Sequence, residues 1–370
     1  MLILGIETSC DDTAAAVVEA KGGFAKPAFS VLANTSYSQV AIHKKYGGIV
    51  PNLASRAHAE KIYPTIKTVI SAAKTKLENI DLIAVTRGPG LMPSLLIGVN
   101  AARALAYRFR KPIIGVNHIE GHIFSNWLPP VREFPISNFQ FSNKNLFPAL
   151  ILVVSGGHTE LVLMSNYGKY KIIGQTVDDA AGEAFDKTAR LLELGFPGGP
   201  MIAAEAAKFS ISNFSRLAGS RTAGQFTIKL PRPMINSNDY NFSFSGLKTA
   251  VLYLYNDLIK TRPPEEIRQA MAAEVQDAIV DVLVSKTIKA AKKFNPKTVL
   301  IAGGVAANEK LRQTMAEKIA LYGIPLLVPD LAYATDNAAM IAAAGYFGCL
   351  KKNLPTEAWK KIKTDANLKL

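Results

Sequence analysis

Residues Leu2–Glu19 read L-I-L-G-I-E-T-S-C-D-D-T-A-A-A-V-V-E, and residues Ala149–Met164 read A-L-I-L-V-V-S-G-G-H-T-E-L-V-L-M. Each is a β-rich run, a polar turn and a second β-rich run. Both turns carry Ser and Thr four apart, as Ser9/Thr13 and Ser155/Thr159. Such runs around Gly, Asp and Ser predict a hairpin in each case. The echo continues downstream. Asp81–Thr86 is a strand candidate entering G-P-G, followed by a helix near Pro93–Arg108. Thr298–Ala302 is a strand candidate entering G-G, followed by a helix near Asn308–Tyr322. Each helix then meets a short strand, Pro112–Val116 or Pro325–Val328. Strand–helix–strand units favour sheets with covering helices. The chain therefore reads as α/β, with two related lobes facing each other across a cleft.

On this reading residues 1–126 form the first lobe and residues 148–335 the second, the latter with an insert at 176–248. Residues 336–350 are expected to pack back on the first lobe. Residues 127–147, rich in Pro, Asn, Ser and aromatics, read as a loop excursion that either stacks on nucleic acid or, the favoured reading, covers a hydrophobic patch. Residues 351–370 hold six lysines and read as a basic tail, with a solvated terminal helix its expected state.

Composition sets the outer bounds. At 370 residues, 49% hydrophobic and 19% charged, the chain can bury a substantial core and is long enough for two domains. Its 43 Lys+Arg against 29 Asp+Glu give a net charge of +14. That balance favours a polyanionic partner, nucleic acid foremost. No block of like charges appears, so a basic surface has to be assembled by folding. Two cysteines, Cys10 and Cys349, make no disulfide framework and suggest a reducing compartment. The first apolar run has no preceding Lys or Arg, unlike a signal peptide, and no stretch reaches membrane-spanning length. The expectation is a cytoplasmic protein with no membrane association.

The run N-H-I-E-G-H places His118 and His122 four residues apart, on one face of a helical turn. Neutral imidazole is the commonest metal ligand; the competing reading is a solvated pair. The zinc-protease pattern needs Glu directly after the first His, where this chain has Ile119, so protease chemistry is poorly supported. In the second half the matching strand leads into P-D-L-A-Y-A-T-D-N-A-A-M, so Asp336 could reach the histidines from the opposite side. Two His and one carboxylate suit Fe(II), or Zn(II) with an added water. Asp336 could equally cap the Ala-rich helix that follows, and the two roles are compatible.

Glycine turns are the candidates for anion binding. Ser155, Gly156 and Gly157 can present consecutive N–H groups, and Gly303 and Gly304 precede a helix start. Asp11 and Asp12, opposite, would repel a phosphate unless a metal or a proton mediates. No P-loop occurs, and G-P-G-L-M-P breaks the dinucleotide-binding pattern at its last glycine. Nothing near Cys10 in sequence marks it as an activated nucleophile. His158 is a candidate acid, base or phosphate contact, against a structural role.

The motifs G-I-E-T-S-C-D-D-T, R-G-P-G-L, N-H-I-E-G-H, S-G-G-H-T, D-D-A-A-G-E-A-F-D-K, F-S-F-S-G-L-K-T-A-V, A-G-G-V-A-A-N and T-D-N-A-A-M occur in one order. In this the chain resembles the tRNA N6-adenosine threonylcarbamoyltransferase family, from its first strand to about Gly348. The resemblance implies the two-lobed fold shared by actin, sugar kinases and heat-shock ATPases. It also implies transfer of threonylcarbamoyl from threonylcarbamoyl-AMP to N6 of the adenosine 3′ to the anticodon of ANN-decoding tRNA. His118, His122 and Asp336 would then bind one divalent metal, Fe(II) preferred and Zn(II) the alternative. Val153, Val154, Ser155, Gly156 and Gly157 would cradle the phosphate and acyl portion. Asp186 would hydrogen-bond the ribose, with Gly199 and Asn308 completing the nucleoside site. Asp11 or His158 is the candidate for taking the N6 proton. The implied partners are tRNA, an adenylate-synthesising enzyme, a paralogous subunit and a small ATPase. Two other readings stay open from the residues: an ATP-dependent sugar or acetate kinase on the same fold, and a catalytically silent scaffold subunit.

Overall fold

The structure, a computed structural model, describes residues 1–131, 146–217, 228–352 and 354–370. Its first sheet contains β1 (Leu2–Glu7), β2 (Asp12–Lys21), β3 (Ala28–Ser38), β4 (Leu82–Gly88) and β5 (Ile113–Asn117), in the order β3-β2-β1-β4-β5. The second contains β6 (Ala149–Val154), β7 (Thr159–Asn166), β8 (Lys169–Gln175), β9 (Thr298–Ala302) and β10 (Leu326–Leu327), in the order β10-β9-β6-β7-β8. Matched from β1 and β6 outward, the two orders are the same. The hairpins pair antiparallel, Leu2↔Glu19 through Glu7↔Ala14 and Ala149↔Met164 through Val154↔Thr159. The later strands of each half join parallel. The α/β duplication is thus present strand for strand.

Helices cover both sheets. α1 (Pro51–Ala72) and α2 (Met92–Phe109) pack on the first, burying Ile66, Val69 and Val99 against Leu4, Ile6 and Val85. On the outer face of the second lie α4 (Ala181–Leu191), α5 (Gly198–Leu217), α6 (Ser245–Leu258), α7 (Pro264–Phe294) and α8 (Glu309–Ala320). The insert at 176–248 therefore contributes helices to a core, with Phe185, Ile202 and Leu247 fully buried. Between the sheets lie α3 (His118–Phe124) and α9 (Ala338–Leu350), in a central cluster that takes Ala14, Ala84, Ile151 and Val162 from the two inner faces.

Small residues set how closely α9 approaches. A Cβ on Gly5 of β1 would lie 2.1 Å from the Ala338 carbonyl oxygen, and one on Gly345 would lie 2.5 Å from Ala84 Cβ. The alanine run of α9 is buried from Ala338 to Phe347 because it is pressed between two sheets. A helix apolar all round needs such a site.

Two expectations are modified. Residues 132–145 of the excursion lie outside the described residues, but its ends belong to the core. Trp127, Leu128 and Leu146 are buried in the central cluster, and the Trp127 ring packs 5.2 Å from that of Phe124. The basic tail is not a terminal helix. After one 3-10 turn at Thr356–Lys360 it runs irregularly along the first lobe, with a turn at Ala366–Asn367 that the Leu368 N–H closes on the Asp365 carbonyl (3.3 Å). Ile362, Thr364, Ala366, Leu368 and Leu370 are half-buried and alternate with exposed residues, a period of two that no helix can satisfy on a flat surface. The Asp365 N–H donates to the Arg87 carbonyl (2.8 Å), Gly90 N–H to the Ala366 carbonyl (3.2 Å) and Asn117 Nδ2 to the Lys369 carbonyl (3.1 Å). Gly88, at φ +152, meets this segment so closely that a Cβ would lie 1.7 Å from the Asp365 oxygen.

Gly5→Ala is expected to destabilise the protein by about 1–3 kcal/mol, since the new methyl overlaps backbone that cannot move aside. Gly246→Ala, in the first turn of α6 with nothing within 4 Å of the new Cβ, is expected to be neutral or stabilising. Urea unfolding of the two variants beside the parent checks this contrast.

Candidate metal centre and its cleft

The strand β5 ends at Asn117, whose Oδ1 accepts from the N–H groups of Ile119 (2.8 Å) and Glu120 (3.4 Å). That cap starts α3 and fixes its direction. Gly121 then lets α3 press onto α9: a Cβ there would lie 2.7 Å from Ile341 Cδ1. With the helix so placed, the rings of His118 and His122 stand 4.6 Å apart, edge to face. Asp336 precedes α9 from the other side. The cap of α9 is not Asp336 but Asn337, whose Oδ1 accepts from the Met340 N–H (2.9 Å). The carboxylate of Asp336 is thus left to the histidines, with its Oδ1 3.1 Å from His122 Nε2 and 3.5 Å from His118 Nε2.

These three donor atoms lie within 4.8 Å of one another. Ligands at about 2.1 Å from one tetrahedral ion stand about 3.4 Å apart, so the spacing suits a single shared ion. Two imidazoles and a carboxylate form an appropriate donor set for a divalent transition metal. The group can hold one metal.

Sequence reading missed the residue that orients this cluster. Glu7, at the end of β1 and 1% exposed, sets its Oε2 3.1 Å from His118 Nδ1. Thr86 Oγ1 donates to the same oxygen (2.5 Å), the Ser9 N–H donates to Oε1 (2.5 Å), and Ser9 Oγ lies 3.1 Å from His118 Nδ1. A carboxylate on the far ring nitrogen fixes the tautomer that turns Nε2 toward a metal. The only sequence signal was an acid ending an otherwise apolar strand.

Burial alone would lower the His118 pKa, but the charges of Asp336 and Glu7 outweigh it and raise it to about 9. His122, fully buried and beside His118, is lowered despite its hydrogen bond to Asp336. The two imidazoles hold Asp336 well below the usual carboxylate range, against its own burial.

The remaining candidates fall into three groups. Asp11 and Asp12 lie in the β1–β2 turn. Burial and the Asp336 charge raise both, Asp12 to about 7, and Asp12 Oδ1 is buried without a hydrogen-bond partner among the described residues. The neighbouring Cys10 thiol is pushed well up by burial and by Asp11, which opposes a thiolate nucleophile. In the second lobe Val153 and Val154 are buried in β6, and the turn after them closes on itself. Ser155 N–H donates to the His158 carbonyl and His158 N–H to Ser155 Oγ. Gly156 and Gly157 stand open, with nothing within 4 Å of a built Cβ. Gly182 at the start of α4 and Gly303 after β9 both abut this turn, near enough that a Cβ would meet the Ser155 or Val154 oxygen. The glycine turns of the second lobe therefore converge. His158 is lowered to about 4 by burial and by the nearby His118 and His122, so it is neutral at physiological pH.

The third group lies further along. Asp186 Oδ1 accepts from the Gly198 N–H (2.6 Å), which places Gly199 beside it, and its pKa is raised by burial. It borders a 220 Å³ cavity with Lys44, Gly47 and Arg190. Asn308 caps α8 through the Leu311 N–H (3.0 Å) and donates to Gln276 Oε1 (3.0 Å), so both ends of its amide are engaged.

A duplicated α/β fold, with a donor set able to hold one divalent metal where its halves meet, is the frame of a two-lobed enzyme. The chain belongs to the tRNA N6-adenosine threonylcarbamoyltransferase family, whose sequence model matches residues 30–343. It is 47% identical over 347 residues to the tRNA N6-adenosine threonylcarbamoyltransferase of Dehalococcoides mccartyi (strain ATCC BAA-2100 / JCM 16839 / KCTC 5957 / BAV1), covering 94% of this chain and 93% of that protein. Against the enzyme of that name from Bacillus subtilis (strain 168) it is 46% identical over 346 residues, covering 93% and 90%. Among solved structures, T. kodakarensis HypF shares the fold, with a TM-score of 0.53 and 13% identity over 95% of this chain and 47% of that one. Among the described residues no helix is long and apolar enough to cross a membrane.

Replacing Glu7 by Gln is expected to weaken divalent-metal binding about 10–100-fold, as loss of an outer-shell partner does. Inductively coupled plasma analysis and calorimetric titration would read the loss. A protonated His118 cannot ligate, so below pH about 9 each bound ion should displace about one proton. Titration in two buffers of different ionisation enthalpy checks that number. Without metal the sign reverses. The folded pKa lies above the ordinary 6.5, so His118 stabilises the fold at low pH and that contribution fades as pH rises through about 9.

Proposed function

We propose that this chain transfers the threonylcarbamoyl group from threonylcarbamoyl-AMP to N6 of the adenosine 3′ to the anticodon in ANN-decoding tRNA, releasing AMP. The observation that carries this reading is the Asp336–His118–His122 cluster, set in a cleft whose second-lobe turns are open glycines. It gains weight from relatives of that name at 46–47% identity over nearly the whole chain.

The chemistry asks little of a base. AMP is a good leaving group, so positioning and charge stabilisation can carry the acyl transfer without a covalent intermediate. His118, His122 and Asp336 would hold one divalent ion, Fe(II) by preference or Zn(II), which as a Lewis acid would polarise the acyl-adenylate. Val153, Val154, Ser155, Gly156 and Gly157 would cradle the phosphate and acyl portion, with the open Gly156 and Gly157 letting it approach the backbone. Asp186, with Gly199 and Asn308, would take the adenylate nucleoside. For the N6 proton, His158 and Asp11 remain the candidates, His158 being a neutral imidazole that can accept one. Asp12, close to half-protonated at neutral pH, softens the repulsion that two aspartates would offer a phosphate.

The same reading supplies partners: an enzyme that makes the adenylate, a paralogous subunit and a small ATPase. An apolar groove of 610 Å³ between α1 and α2, lined by Ile62, Ile66, Ile70 and Leu105, offers a helical face for another subunit. The cytoplasm, where tRNA is modified, is the compartment this reading requires.

The test is transfer of labelled threonine to unmodified ANN-decoding tRNA, with fresh adenylate, metal and partner subunits supplied. Wild type should label the anticodon-adjacent adenosine, and His118→Ala should reduce labelling at least a hundredfold. Absence of transfer by the wild-type chain under these conditions would overturn the reading. Release of ADP with a phosphorylated small molecule would favour the kinase alternative.

A further inference from the structure

A second cavity, of 390 Å³, lies between the lobes beside the metal centre, and of the residues given roles above only His158 lines it. Its floor is the start of the β7–β8 ladder. Glu160 and Gln175 face each other there as a cross-strand pair, and His158 lies two residues before Glu160 on the same face. Pro89, Ile119 and Ile172 supply apolar walls, and the last residues, Ala366–Leu370, close the outer side. The volume is at the low end of the roughly 300–1,000 Å³ typical of ligand pockets.

We propose that this cavity receives the acceptor adenine, with Gln175 and Glu160 reading its amino edge. The inference rests on the reading above that the acceptor is an adenosine of tRNA, and adds where that base goes and what recognises it. An enzyme that modifies a base inside a folded nucleic acid takes it out of the stack into a snug pocket, held by stacking on apolar groups and hydrogen bonds to its edge. The cavity provides both kinds of contact. The amide of Gln175 offers one donor and one acceptor, the complement of adenine N7 and N6–H, a pairing that Gln makes with adenine in other settings. The carboxylate of Glu160 offers acceptors alone, which suits the other N6 hydrogen. Guanine presents O6 at that position, an acceptor against an acceptor, so Glu160 also discriminates against it.

Placement supports the assignment. Ile119 in the wall adjoins the metal ligand His118 in the chain, and His158 lies on the cavity floor. A base held here would therefore sit next to the helix that carries both histidines. The backbone of Gln175 is fixed by its N–H to Asn241 Oδ1 (3.1 Å) and by its carbonyl from the Phe242 N–H (3.1 Å). Its side chain lines the cavity from that fixed backbone. Lys369 on the closing segment lines the cavity, is exposed, and its charge acts on Glu160, so a cation stands where the tRNA backbone would approach.

The experiment uses the full chain and a tRNA carrying 2-aminopurine as the nucleotide 3′ to the acceptor adenosine. The fluorescence of 2-aminopurine rises when its neighbour leaves the stack, and the readout needs no turnover. Wild type should raise it. Gln175→Ala should cut the rise and increase the KM for tRNA roughly tenfold, with the affinity for adenylate unchanged. Glu160→Gln should permit a comparable rise with guanosine at the acceptor position, which a merely structural role would not produce. No rise with wild type, or a rise and a KM unmoved by both substitutions, overturns the pocket even if transfer is intact. A rise that depends on Gln175 in a chain incapable of transfer would keep the pocket and overturn the proposed reaction instead.

Discussion

The contact of Asp336 with two imidazoles, backed by Glu7, is the constraint around which both halves of this protein are arranged. Removing a charged group from water costs several kcal/mol, and a buried pair repays it only with close geometry and satisfied hydrogen bonds. Here Glu7 is 1% exposed and His122 also 1% exposed, so misplacement of either half would leave a charge stranded. The geometry must come from the backbone. Asn117 starts α3 at the end of β5, Asn337 starts α9 one residue after Asp336, and Gly121 lets the two helices close. Gly5 and Gly345 in turn let α9 sink onto the first sheet. Each of these small residues is a packing choice whose consequence is a ligand position.

Much of this was legible because duplication repeats its own signal. A single hairpin of the type Leu2–Glu19 is a weak cue, but the same pattern at Ala149–Met164 with matching downstream strands left few topologies. The pairing of His118 with His122 follows from helical periodicity, and the reach of Asp336 from the pseudo-symmetry. Glu7 was not legible, since nothing local distinguishes an acid that ends a strand from one that meets a histidine 111 residues away. Likewise Asp336 and Asn337 are both good caps, and only the backbone decides which is used. Cap choice turned out to free the carboxylate rather than divide it.

The last residues show the opposite failure. Six lysines drew attention to charge and suggested a solvated helix, whereas the deciding pattern is the alternation from Ile362 to Leu370. Half-buried groups at every second position, four of the five apolar, need a surface to lie on, and the G-P-G turn supplies part of it. Gly88 has no Cβ to keep the Asp365 carbonyl away. The segment reaches Asn117 through Lys369, so the amide that caps the metal-ligand helix with its oxygen is tied down by its nitrogen. A stretch that looked like an appendage is joined to the residue that positions His118.

Charge in this protein is distributed against its average. The chain carries +14 overall, yet Glu7, Asp11, Asp12 and Asp336 gather at the bottom of the cleft. A polyanion is drawn to the exterior by long-range steering, while a phosphate approaching the interior meets carboxylates. The chain offers two ways to reconcile these. Asp12 is raised to about 7 by burial and by its acidic neighbours, so it surrenders much of its charge near neutral pH. The Asp336 cluster keeps its charge, because two imidazoles hold it ionised, and it keeps it where a divalent cation can use it. Local electrostatics therefore make the cleft a place for a divalent cation, while the excess of Lys and Arg lies elsewhere in the chain.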